Sequence, residues 1–81
     1  MPREVLLFAA AAELAAARTI AVDLPPAATA DDVLAAIGQQ VPALAELLPA
    51  CRLAVDQTFV GPSFSVPAGA ELALIPPVSG G

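Results

Sequence analysis

The chain has no histidine and no lysine, and only one cysteine. Without histidine there is little from which to build a zinc site or a Cys–His nucleophile pair. A single cysteine, Cys51, excludes an internal disulfide. The basic residues are Arg3, Arg18 and Arg52, set against eight acids, for a net charge of −5. Nucleic acid and anionic membrane surfaces both require a basic footprint, so neither is expected as a partner. A basic protein partner fits this charge, and so does ordinary solubility through net acidity. No apolar run approaches the roughly 20 residues needed to span a bilayer. The residues required for self-contained catalysis are largely missing, which points to a carrier or binding role.

What is present is an alanine-rich, 58 % hydrophobic chain of 81 residues, enough for one small domain. Such a domain has little interior, so part of this apolar content is expected in a protein interface. Cys51 precedes the apolar stretch Leu53–Val55 and reads as a half-buried, inert thiol rather than a reactive one. Met1-Pro2-Arg3 followed by Val5–Ala12 has the outline of a secretory signal peptide. Glu4 spoils its positive region and Glu13 interrupts its apolar stretch, so the segment is expected to be the first strand of a cytoplasmic protein.

Along the chain, the unbroken apolar run Val5-Leu6-Leu7-Phe8 suits a central strand buried on both faces. Ala9–Ala17 favours a short helix. Arg18–Asp23 alternates around Ile20 and Val22 and should pair back as a strand. Pro25-Pro26 enforces a loop. Thr29 caps a longer helix, with Asp32 completing a short-armed capping box and Val33, Leu34, Ile37 and Val41 as its apolar stripe. Pro42–Leu48 forms a second short turn, with Leu44, Leu47 and Leu48 inward and Pro49 as its terminator. Arg52–Asp56 and Thr58–Val60 read as strands around a turn at Asp56-Gln57. Gly69 supplies a positive φ in the next loop, and Glu71–Ile75 is the last strand. The order strand, short helix, strand, long helix and three strands gives an α+β fold, a mixed sheet of about five strands crossed by one main helix. This is the β-grasp arrangement. A ferredoxin-like sheet would need a second long helix late in the chain.

Residues 1–75 form this domain and residues 76–81 a C-terminal tail, expected to be exposed and mobile. Pro76-Pro77 stiffens its start. Gly80 and Gly81 have no Cβ, so the tip can thread a narrow channel, and the Gly81 carboxylate can be adenylated by ATP and captured by sulfur. Composition alone favours a glycine tail of no chemical role.

The stretch Leu53–Val60, and then Ala68–Gly81 ending Ile75-Pro76-Pro77-Val78-Ser79-Gly80-Gly81, closely resembles the MoaD-type sulfur carriers, the small subunits of molybdopterin synthase. These ubiquitin-like proteins show a "VNQ" turn and a "DGDEVAFFPPV[TS]GG" ending. Leu7-Phe8-Ala9 and Glu13-Leu14 resemble the family's "FFA…REL" segment. The resemblance implies that an E1-like enzyme uses ATP and Mg²⁺ to adenylate Gly81. A sulfur-donor protein then converts the adenylate to a thiocarboxylate. The tail delivers its sulfur to cyclic pyranopterin monophosphate inside a large catalytic subunit, two copies of each subunit forming a heterotetramer. On this view the chain binds no cofactor or metal itself. Gly81 is the reacting group, Gly80 keeps the tip slim, and Phe8, Phe59, Ile75, Pro76, Pro77, Val78 and Ser79 match partner-binding positions. From strand alternation, Leu72 and Leu74 belong to the core and Ile75 to the interface. For Phe8 and Phe59, plain core packing stays open. The chain departs from the family pattern at Ala12, where Arg is usual, and at Asp56, where Asn is usual. Rival roles are a carrier for thiazole synthesis, whose members are generally shorter, a carrier for tRNA thiolation or protein conjugation, and a ubiquitin-like interaction module with an unused tail.

Overall fold

Glu4 and Leu6 alternate with Val5 and Leu7, and the first strand, β1 (Pro2–Leu7), follows that alternation. In the computed structural model, which describes residues 2–77, Val5 and Leu7 are buried, Leu6 is half-buried and Glu4 is exposed. The expected strand buried on both faces is therefore corrected: only one face of β1 is covered. Helix α1 (Ala9–Ala15) starts directly after the extended residue Phe8 and stops at Ala16, whose φ of 55° is left-handed. That reversal returns the chain as β2 (Thr19–Asp23), antiparallel to β1.

Helix α2 (Ala30–Gln40) begins at the expected capping box. The Asp32 amide donates to Thr29 Oγ1 at 3.2 Å, and the Thr29 amide donates to Asp32 Oδ2 at 2.9 Å. Asp31 and Asp32 sit at the positive end of the helix dipole. Val33 and Ile37 are fully buried, while Leu34 is half-buried. Gly38 costs helix propensity but allows a close approach, because a Cβ there would lie 3.0 Å from Leu48 Cδ1. The expected single turn after α2 is two 3₁₀ turns, Pro42–Leu44 and Leu48–Ala50. Pro49 lies inside the second turn rather than ending it, since proline's fixed φ suits a first turn and its missing N–H is not needed there.

Strands β3 (Arg52–Val55) and β4 (Thr58–Phe59) flank Asp56 and Gln57, which have φ of 50° and 67°. Two successive positive values are the sign pattern of a type I′ hairpin turn. β4 is one residue shorter than expected, although the Val60 amide still donates to the Leu53 carbonyl. The last strand is β5 (Leu72–Ile75). The sheet order is β2-β1-β5-β3-β4, with β1 and β5 parallel and the other neighbours antiparallel.

The core lies between one face of this sheet and α2. It contains Val5, Leu7, Val22, Val33, Ile37, Leu44, Leu53, Val55, Leu72 and Leu74. This is the β-grasp arrangement expected from the element order. Truncating Leu74→Ala should lower the unfolding free energy by about 2–5 kcal/mol through lost burial and a residual cavity. Thr29→Ala should cost about 1 kcal/mol through the lost cap. Chemical denaturation of both variants checks that ordering.

Candidate functional site

The uncovered face of the sheet is organised by strand register. Leu6 pairs with Ala73, Ala73 with Ala54, and Ala54 with Phe59, giving a central apolar row across four strands. One step toward the C-terminal end of β5, Ile75 pairs with Arg52, and continuing the β1–β5 register places Phe8 on its other side. One step the other way, the same registers set Glu4 and Asp56 on either side of Glu71. The face thus carries an acidic row, an apolar row and a third row beside which the tail departs. A shallow open groove runs over it, lined by Leu6, Phe8, Ala54, Gln57, Phe59, Glu71, Ala73 and Ile75.

Phe8 and Phe59 are 47 % and 51 % exposed. The choice between core and surface is thereby decided. Phe8 shares strand parity with Glu4 and Leu6, and Phe59 pairs with Ala54, so both rings stand on the face without the helix. Phe64 is 41 % exposed as well, leaving a core without an aromatic ring. Leu72 and Leu74 are buried and Ile75 is half-buried, as the alternation of the last strand implied. Pro76, expected in the exposed tail and on the partner-binding surface, is instead buried in the domain, and Pro77 is the first exposed residue after β5. The expected sites Val78, Ser79, Gly80 and Gly81 lie outside the described residues.

Three participants escaped the sequence reading. Leu6 was hidden by treating Val5–Phe8 as buried on both sides; Glu4, two residues earlier, was the signal, because positions i and i+2 share a face. Arg52 and Ala54 join the face only through pairing with β5, which no local pattern reveals. The Arg52 guanidinium lies over the Phe59 ring, 4.6 Å from its centroid, and steadies that exposed aromatic.

Asp56 serves the turn. Its amide donates to the Glu71 carbonyl, and the Glu71 amide donates to Asp56 Oδ1, both at 2.9 Å. An asparagine side-chain oxygen could accept the same bond, so the acid preserves the latch and adds a negative charge. Ala12 packs partly buried against the core from α1 and offers no charge there. Cys51 is half-buried, its thiol donates to the Leu47 carbonyl at 3.3 Å, and burial raises its pKa. The expected inert thiol is what the geometry supports.

A β-grasp sheet with one bare apolar face, flanking a C-terminal strand, defines a ubiquitin-like domain. The chain belongs to the ThiS family, whose match spans residues 5–81. It is 35 % identical over 80 residues to the molybdopterin synthase sulfur carrier subunit of Caenorhabditis elegans, covering 96 % of this chain and 95 % of that one. The protein of the same name from Chlamydomonas reinhardtii is 36 % identical over 83 residues, with both chains covered in full. Among solved structures, SAMP1 from Haloferax volcanii superposes with a TM-score of 0.85 at 35 % identity, again with both chains covered in full.

The raised Cys51 pKa keeps the thiolate population at neutral pH below that of a free cysteine. A disulfide reagent should therefore modify the native protein more slowly than the unfolded chain at pH 7, with the rate rising as pH increases. A native rate equal to the unfolded one would place the thiol in a different environment.

Proposed function

We propose that this chain is the sulfur-carrier small subunit of a molybdopterin synthase. The observation that carries the reading is the setting of the Pro76-Pro77-Val78-Ser79-Gly80-Gly81 ending. It follows β5, the middle strand of the sheet, at the row where Phe8, Ile75 and Arg52 stand uncovered. The full-length likeness to sulfur carrier subunits of that enzyme supports the same reading.

In this account the sheet face is the handle and the tail is the reagent. An E1-like enzyme, supplied with ATP and Mg²⁺, adenylates the Gly81 carboxylate and releases pyrophosphate. A sulfur donor displaces AMP and leaves a thiocarboxylate. The uncovered face then docks on the large subunit, and the glycine tip enters its active site and gives up sulfur to cyclic pyranopterin monophosphate. The large subunit provides the catalytic cations, in keeping with a chain that has only three arginines. Partner contact falls to Phe8, Phe59, Ile75 and Pro77 on the exposed side, with Val78 and Ser79 leading into the channel.

A second reading is favoured by one observation. SAMP1, a small archaeal modifier protein, matches this chain end to end as closely as the carrier subunits do. On that reading the activated carboxylate is joined to another protein rather than converted for sulfur delivery.

Incubation with the activating enzyme, ATP and a sulfur source should replace one carboxylate oxygen of Gly81 by sulfur, read by intact-protein mass spectrometry. Deleting Gly81 should abolish thiolation and molybdopterin formation while leaving the circular dichroism spectrum unchanged. A wild-type chain that gains no sulfur contradicts the carrier reading, and one found linked to other proteins supports the modifier reading instead.

A further inference from the structure

We infer that the uncovered face is electrically polarised so that its protein partner docks in one direction, with Arg52 meeting a carboxylate beside the path of the tail and the Glu4–Glu71–Asp56 row meeting basic side chains. The inference rests on the carrier reading and names the chemistry of the surface that receives this face.

The polarity follows from register. Ile75 and Arg52 are paired at the tail end of the face, and Glu71 lies four residues before Ile75, immediately ahead of β5. At about 3.3 Å per residue, the two charged ends stand roughly 13 Å apart, with the apolar row between them. An apolar row contributes affinity but gives little preference for either direction along the strands, whereas opposite charges at its ends do. Direction matters here because β5 ends, and Pro77 becomes exposed, at the Arg52 end of the face.

Arg52 is suited to the task in a way the other two cations are not. The Arg3 guanidinium donates to the carbonyls of Ala70, at 2.9 Å, and Pro67, at 3.4 Å. Arg18 precedes the edge strand β2, away from the β5–β3 pair. Arg52 is exposed and rests on the Phe59 ring, which occupies a guanidinium face and leaves the N–H edges for a carboxylate. At the opposite end, continuing the β1–β5 register sets Glu4 beside Glu71, both exposed, a like-charge pair that a basic surface would relieve.

The test is binding of the full-length chain to the large subunit of molybdopterin synthase from the same source, measured by calorimetry and stopped flow at low and high salt. Arg52→Glu and the double variant Glu4→Lys/Glu71→Lys should each weaken binding by about tenfold or more and flatten the salt dependence of the on-rate, whereas Arg52→Lys should stay within about threefold of wild type. Unchanged circular dichroism confirms that the exposed substitutions leave the domain folded. If wild type binds and both charge reversals bind within about twofold of it, the polarity inference is overturned while the carrier reading stands. If wild type does not bind the large subunit, the carrier reading falls and this inference with it.

Discussion

The parallel pairing of β1 with β5 is the constraint on which the rest of the molecule depends. It sets the first and last strands side by side in the middle of the sheet, leaving β2 and the β3–β4 hairpin as wings. A parallel pair cannot be closed by a tight turn, so everything between the two strands is an extended crossover. That crossover includes α2, the one long helix, laid against the sheet. Had β5 been an edge strand, the tail would leave from the rim. As the central strand, it ends at Ile75 between the flanking residues Phe8 and Arg52.

A domain of 81 residues with one long helix can cover only one face of a five-stranded sheet. The covered face is filled by aliphatic side chains, Val5, Leu72 and Leu74 among them almost fully buried. The other face keeps Leu6, Phe8, Phe59 and Ile75 in contact with water, a standing penalty for an isolated protein that burial against a partner would remove. The acidic balance of the chain works against self-association through that face. On the covered side, Cys51 is half-buried, its thiol donating to the Leu47 carbonyl.

Features encoded by neighbours in sequence were legible without coordinates. Thr29 and Asp32 cap α2 because the motif is complete within four residues, and Asp56-Gln57 makes the hairpin because the flanking strands leave only two residues for it. The alternation in β5 sorted Leu72 and Leu74 from Ile75 correctly. Features that depend on which strand lies beside which were not legible. An unbroken run such as Val5–Phe8 does not disclose that its second face is bare, because that depends on the absence of a second covering helix. The side chosen by Phe59 follows from its pairing with Ala54, and the stacking of Arg52 on that ring follows in turn. Pro49 was misplaced because proline both ends α-helices and begins 3₁₀ turns, and position in the turn decides between them.

On the carrier reading, the bare sheet face, and not the helical side, is the surface that a partner covers when it receives the tail. Amide chemical-shift mapping of the labelled chain with the unlabelled large subunit tests it most directly. The perturbed amides should cluster on Leu6, Phe8, Arg52, Ala54, Phe59, Ala73 and Ile75, with the exposed side of α2 at Ala35 and Gln39 left unshifted. Perturbations centred on α2, with the sheet face silent, would contradict it.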